Sequence, residues 1–419
     1  MGDCSSGAMH GVGGSIESSS SQNCTSYIEF LPVKEVKEEN TDIEESCIGK
    51  GLDSWGGFRL HYVWADLSVR MRAKMVYEGE GGRYYEWCPK EHEVLQDHNI
   101  GATKLVLSTN GFALPCYSDS AKVAYVLQGS GIAGVVLPGQ EEKVVAIRKG
   151  DAIALPVGIV TWWYNKDVTE LEILFLGDTK TAVKLGSFAD FLLKGSNGNN
   201  LSCFSPEFIG RAWKSDKSIL KTLVGLHLAR SIVKLVPGFE ISEAELKDYR
   251  DGMLLNCEET APSRSDTNGG GEILDLNTEN LPIIGDIGLG ASRATLNGNA
   301  AYYPEISVDP AIRVTDIIKG SGRVKVRDFC GFVTERQIEV GELFVVPRLL
   351  SVLKIADPEG MEWFSIVTNE NVIVLYMRSH YFSSMLLRLS KMLSYLVGSF
   401  KYSLFLEERT HTLRHIWRV

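Results

Sequence analysis

Imidazole chemistry has little to draw on in the middle of this chain. No histidine occurs from 99 to 226 or from 228 to 379, which leaves His227 alone between them. Neutral imidazoles are the commonest protein ligands for transition metals, so a multi-histidine metal centre is not expected there. Cysteines stand at positions 4, 24, 47, 88, 116, 203, 257 and 330, and no two form a CxxC metal or redox motif. Reduced thiols are the expected state. Cys116 lies near Lys122, and an ammonium beside a thiol favours the thiolate, provided both side chains point inward together. The competing reading is a buried Cys116 that behaves as a small hydrophobe. Its sulfur is soft enough for zinc but lacks partner ligands. The run Trp162-Trp163-Tyr164 would line the mouth of a ligand-binding barrel or, on the simpler reading, fill a core and an oligomer contact. Alternation along a strand places one tryptophan inside and the other outside. Lys122 and Arg313 could draw an anionic ligand; solvated or salt-bridged surface charges are the simpler expectation.

The elements that must hold these residues are short apolar runs bounded by Gly, Pro, Asn and Asp. Lys122–Leu127, Lys143–Ile147, Ala152–Leu155 and Leu171–Leu176 read as strands, separated by turns such as Gly129-Ser130-Gly131. Many short strands with such turns predict a mainly β sandwich or barrel. An internal repeat sharpens this. Gly129-Ser130-Gly131 is matched by Gly320-Ser321-Gly322, and Gly150 followed by Pro156 by Gly341 followed by Pro347, all at an offset of 191 residues. An acidic residue follows the second glycine both times, as Asp151 and Glu342. One β unit therefore occurs twice.

The expected organisation starts with an extension over 1–65, serine-rich and then acidic, which lacks the apolar content to order itself. A first barrel with a helical segment (207–235) covers 73–235, a polar linker 236–270 and a second barrel 271–370. An atypical tail over 371–419 places Met385, Leu389, Met392, Leu393 and Leu396 at helical spacing. With 44% hydrophobic and 23% charged residues, the composition is that of a soluble globular protein. A net charge of −10 argues against nucleic-acid binding. No run of about 18 uncharged apolar residues suggests a spanning helix. The opening MGDCSSGAMHG holds no apolar stretch of the secretory type, so a cytoplasmic location is expected.

The segment GDAIALPVGIVTWWYN, Gly150 to Asn165, resembles the second sequence motif of the cupins, with Thr161 where that motif carries histidine. Leu114 to Gly131, Asn280 to Gly288 and Gly341 to Thr368 are similar to the corresponding parts of legumin- and glutelin-type (11S) seed storage globulins. The resemblance covers roughly 66–370 and implies two tandem cupin barrels, double-stranded β-helices of the jelly-roll kind. Metal-dependent cupins hold their ion with three His and one Glu. The resemblance puts Cys116, Ser118, Lys122 and Thr161 at those positions in the first barrel, and Glu305, Ser307, Arg313 and Val352 in the second. No metal or other cofactor is therefore expected. The reading that follows is a non-catalytic nutrient-reservoir or structural protein that could bind a small ligand, and by resemblance a homo-oligomer, a trimer. The alternatives are a cupin isomerase or oxygenase built around Cys116 and Lys122, or a ligand sensor using Trp162 or Trp163. Departures from storage legumins are also visible. Asn256-Cys257 stands where those proteins carry an Asn-Gly processing site, Gln occurs only five times, and the family pattern stops after about Asn371.

Overall fold

The computed structural model describes residues 71–193, 231–236, 252–265, 270–307, 311–327, 333–348, 350–369 and 374–376. The expected extension, His227 and the helical spacing of Met385 to Leu396 lie outside them.

The first half opens with β1 (Met71–Arg72), β2 (Lys74–Gly79), β3 (Gly82–Glu86) and a short helix, α1 (Glu93–Asp97). Next come β4 (Ile100–Leu107), β5 (Gly111–Ser118), β6 (Ala121–Gln128) and β7 (Ser130–Val136). Then follow β8 (Lys143–Arg148), β9 (Asp151–Leu155), β10 (Val160–Tyr164) and β11 (Leu171–Asp178). Short strands β12 (Asp190–Leu192), β13 (Ile232–Lys234) and β14 (Leu254–Asn256) complete the half. Seven strands form one antiparallel sheet in the order β14-β9-β6-β11-β4-β3-β2, and six form another, β12-β5-β10-β7-β8 with β13 also on β5. Leu105, Val126, Val135, Ile147, Ile153 and Phe175 fill the space between them.

The second half repeats the plan with β15 (Arg264–Ser265), β16 (Gly271–Leu276), β17 (Gly290–Leu296), β18 (Ala301–Ser307) and β19 (Arg313–Arg327). It closes with β20 (Val333–Glu339), β21 (Glu342–Val346), β22 (Ser351–Val367) and β23 (Val374–Tyr376). The long strands β19 and β22 pair with each other along most of their length, with register shifts near Gly320. Val324, Val326, Phe344, Val352 and Trp363 lie in the interior. A single strand shows how sequence records environment. In β19, Val314 to Ile317 are all buried, because one face meets the interior and the other the first barrel. From Gly322 onward the same strand alternates, with Val324 and Val326 inward and Arg323, Lys325 and Arg327 exposed.

The repeat read from the glycines is present at the level of single hydrogen bonds. Gly150 and Gly341 adopt φ of 87° and 77°, a region open to glycine at no steric cost. The Gly150 N–H donates to Val126 O at 2.9 Å and the Gly341 N–H to Ile317 O at 2.8 Å. The recurring acid closes the same turn twice. Asp151 Oδ2 accepts from the Arg148 N–H at 2.8 Å, and Glu342 Oε2 from the Glu339 N–H at 2.9 Å.

Each barrel's entering arm is paired with the other barrel. β1 precedes the first barrel but pairs with β21 of the second, and β14 precedes the second but pairs with β9 of the first. Arg72 there donates twice to Glu342 Oε1, at 3.0 and 3.1 Å, and Asn256 Nδ2 donates to Asp151 Oδ1 at 2.8 Å. Between the barrels a shared apolar layer joins Leu95, Val123, Leu174 and Leu176 to Leu276, Val314, Leu343 and Ile366. Tyr125 stacks on Phe364 in that layer, ring centroids 4.3 Å apart.

Two stretches differ from the expectation drawn from local pattern. The described end of the segment read as helical is extended, with Ile232 to Lys234 paired to Ala113, Phe112 and Gly111 of β5. Ile232 is buried there: an open sheet edge beside an apolar interior outweighs a helical spacing of apolar residues. Parts of the polar stretch read as a linker are likewise strands, β14 on β9 and β15 on β16.

Candidate functional site

Strand alternation alone would not bring the first candidate set together, because β5 changes phase. Across from β10, Trp163 is the register partner of Ala113 while Thr161 partners Cys116, so one extra residue is accommodated around Leu114 and Pro115. A bulge of this kind turns the following side chains to the other face, and proline suits it. Cys116 and Ser118 therefore share the interior face with Thr161. Lys122 on β6 faces the same interior, being two residues from the core residue Ala124. The four cupin-motif positions of the first barrel thus converge.

The second barrel uses the same device. Tyr302 pairs with Lys354 and Glu305 with Val352, with the extra residue around Pro304. By register, Glu305 is the counterpart of Cys116, and Lys354 that of Trp163. Glu305, Ser307 and Val352 are buried, and Arg313 is nearly so. Lys354 and Asp190, which lie outside the motif positions, turn out to decide the character of both interiors. Sequence reasoning had one signal for Lys354: it follows Val352 by two residues and so shares its face. Asp190 carried none, since it meets the barrel only through tertiary pairing.

In the first interior the Lys122 ammonium lies over the rings of Phe188 at 4.7 Å and Phe175 at 5.4 Å. It donates to Asp190 Oδ1 at 2.8 Å. Burial pushes the Cys116 thiol up to about 12, with the Asp190 charge adding to the rise and Lys122 and Thr161 opposing it. The condition set for a reactive thiolate is thus met in geometry, since both side chains point inward. The outcome is still a protonated thiol, because desolvation outweighs the ammonium and Lys122 is committed to Asp190. Cys116 should accordingly resist alkylation at pH 8 in the native protein, reacting on the order of a thousandfold more slowly than in urea. Mass spectrometry after timed iodoacetamide quenching measures this.

In the second interior Lys354 is fully buried and donates to Glu305 Oε1 at 2.9 Å. Arg313 Nη2 lies 3.6 Å from Glu305 Oε2. The rings of Trp363, Tyr302 and Phe344 surround the ammonium at 5.1, 5.3 and 5.9 Å. Burial works to raise the Glu305 carboxyl, but Arg313 and Lys354 together hold it below the ordinary range. Lys122 and Arg313 were expected as surface charges. Both are instead turned into barrel interiors and paired there, because the strand face they occupy is the closed one.

Neither position set suits a divalent ion. The first offers a protonated thiol, two hydroxyls and a cation. The second offers one carboxylate already neutralised by the chain's own cations. Among the described residues no group of three or more His, Cys, Asp and Glu is placed to hold a metal.

The tryptophans divide as alternation predicts. Trp163 packs edge-on against Phe175, centroids 5.6 Å apart, in the interior. Trp162 lies on the outer face with Ile132, Val144 and Tyr164, and its Nε1 donates to Glu142 Oε1 at 2.6 Å. It lies flat over Gly134, where an added Cβ would come within 1.9 Å of the indole. Gly134→Ala should therefore dislodge Trp162 and cost about 1–3 kcal/mol, with a red-shifted tryptophan emission as the second readout. A cleft of ≈ 290 Å³ exists elsewhere, lined by His98, Asn99, Asp178, Lys180, Ile312 and Thr368 among others, and holds none of the candidate residues.

A family model described as Cupin matches residues 69–194 and 255–391 of this sequence, and the described parts of both regions are built of antiparallel strands. The chain belongs to the cupin family. As a bicupin it is 27% identical to 11S globulin seed storage protein 1 of Carya illinoinensis, over 71% of this chain and 79% of that one. It is 25% identical to glutelin type-D 1 of Oryza sativa subsp. japonica, over 68% of this chain and 73% of that one. The crystal structure of procruciferin, an 11S globulin from Brassica napus, superimposes with a TM-score of 0.67 at 23% identity, covering 76% of this bicupin and 89% of procruciferin. The tandem jelly-roll fold of the 11S globulins is thereby that of this bicupin.

Proposed function

We infer that this bicupin is a non-catalytic globulin of the seed-storage type, a nutrient reservoir rather than an enzyme. One observation carries the reading: where the motif positions converge, both barrels are closed by internal ion pairs and aromatic rings. Lys122–Asp190 closes the first and Lys354–Glu305–Arg313 the second. The 11S relatives support it. The enzyme alternative centred on Cys116 and Lys122 is not favoured, because the thiol stays protonated at physiological pH. The sensor alternative is weakened by the burial of both Trp162 and Trp163 in apolar clusters.

Storage predicts abundance in the seed and loss on germination. Quantitative mass spectrometry of embryos and seedlings should show the protein falling with the reserve globulins; a constant level through seedling establishment would refute the reading. Homo-oligomeric assembly, with the trimer as the form implied by the family, belongs to the same proposal and is measured by light scattering on the eluting protein. Among the described residues no helix is long and apolar enough to cross a membrane. A reducing, cytoplasmic setting fits the free thiols Cys88, Cys116 and Cys257.

A further inference from the structure

The Lys122–Asp190 pair is unequal in a way that an ordinary core ion pair is not. Lys122 belongs to the barrel wall, and its side chain is 8% exposed, whereas that of Asp190 is 30% exposed. Asp190 arrives from outside on β12, three residues long, which among the described residues pairs only with β5. Its neighbour Phe191 is exposed and rests on Tyr117, ring centroids 5.2 Å apart. A buried ammonium needs an anion, and Lys122 takes Asp190, while Glu86, a wall carboxylate on the same face of β3 as Tyr84, accepts from the Ser187 hydroxyl instead.

What the wall does supply is a set of donors. Lys122 Nζ reaches Asp190 Oδ1 at 2.8 Å, and the Tyr84 hydroxyl reaches Oδ2 at a long 3.4 Å. Ser118, the register partner of Asp190 on β5, is buried and its Oγ has no hydrogen-bond partner. Buried hydroxyls are rarely left so. A carboxylate can accept at about four lone-pair sites, yet Asp190, tethered to its strand, makes one good bond and one stretched one. Two donors thus face the tethered carboxylate, and Ser118, across from it on β5, holds a third that is unused. The rings of Phe175 and Phe188 against Lys122 keep the ammonium in place when that carboxylate leaves.

We propose that Lys122, Tyr84 and Ser118 form a binding site for a small-molecule carboxylate at the mouth of the first barrel, and that the chain's own Asp190 occupies it as a stand-in. The site goes beyond the storage reading, which the closed second barrel and the 11S relatives carry when the first barrel opens. An untethered carboxylate enters as β12 lifts, donates nothing, and accepts from all three groups.

Chemical rescue in the full-length protein tests this, with acetate as the probe and equal chloride as the control. Asp190→Ala should melt several degrees below the wild type, and about 100 mM acetate should raise its midpoint by roughly 2–5 °C beyond chloride, saturably. Acetate should give no such excess in Asp190→Ala/Lys122→Met, which lacks the ammonium. If Asp190→Ala is unfolded in chloride, recovery of folded protein in acetate supports the site and failure in both salts overturns it. Equal responses to acetate and chloride in folded Asp190→Ala overturn it as well, as does an undiminished acetate response in the double variant.

Discussion

Glu305→Gln should destabilise the second barrel by about 3–5 kcal/mol, the range seen when one member of a buried ion pair is removed. The reason is the ammonium left behind. Lys354 is fully buried, and burial already pushes its basicity down against the opposing pull of Glu305. Without that carboxylate the folded state favours neutral lysine, while the unfolded chain holds its proton to the ordinary lysine pKa of about 10.4. Between those two values the unfolded state binds more protons, so the variant's stability should rise with pH. Its deficit is therefore largest near neutrality and shrinks toward about pH 10. The wild type shares that rise in weaker form, because Glu305 opposes the lowering of Lys354. Its Glu305 carboxyl is held below the ordinary range, so that contribution is complete above the unfolded carboxylate pKa and fades only in acid. Urea titrations at pH 7 and near pH 9.5 distinguish these behaviours. A double replacement, Glu305→Leu with Lys354→Met, should recover most of the loss, because apolar groups of similar volume often replace a buried pair at little cost. A single Glu305→Gln variant as stable as wild type would show that Lys354 is neutral or solvated.

Asp316→Asn should stabilise the protein above neutral pH and flatten its pH dependence. Asp316 lies on β19 opposite Leu343 and Phe364, on the face turned toward the first barrel. It is 3% exposed, and its Oδ1 has no hydrogen-bond partner. Burial pushes the carboxyl up to about 8, with only Lys104 of the first barrel pulling it back. That lysine is shared, lying 3.4 Å from Glu172 and 5.2 Å from the Tyr85 ring. The folded state thus keeps a proton that the unfolded chain releases above about pH 4. From there to about 8 the folded state binds more protons, so stability falls as pH rises. The shift sets a ceiling of roughly 5 kcal/mol, and relaxation around the seam lowers the expected gain for the amide at pH 8 to about 2–4 kcal/mol. Urea midpoints at pH 5 and pH 8 provide the measurement. Parallel pH slopes for variant and wild type would mean that Asp316 is ionised and paired.

Much of the architecture was legible because it rests on local chemistry. Gly150 and Gly341 mark the same turn because left-handed backbone favours glycine, and Asp151 and Glu342 recur because each closes that turn onto the residue three positions earlier. Asn165, the last residue of the motif stretch, is fully buried and ties Leu107 O and Thr169 O together at 2.9 Å each. The motif thus reported a fold requirement, separable from any metal.

The convergence of Cys116, Ser118, Lys122 and Thr161 was also readable, but only through resemblance, since the Pro115 bulge shifts the phase that period-two counting would follow. The counter-charges were not readable. Nothing near Asp190 announces Lys122, 68 residues away, and the same holds for Ile232 on β5 and for the exchanged arms β1 and β14.

By itself, then, the sequence determined the class of fold, its duplication and the loss of imidazoles, because turn geometry, strand alternation and side-chain identity are local properties. Tertiary structure decided whether each inward cation is a hazard or a closed pair, which strand receives each arm, and whether Cys116 reacts. Those outcomes depend on desolvation and on partners distant in the chain, and a buried charge takes its meaning from what is folded against it.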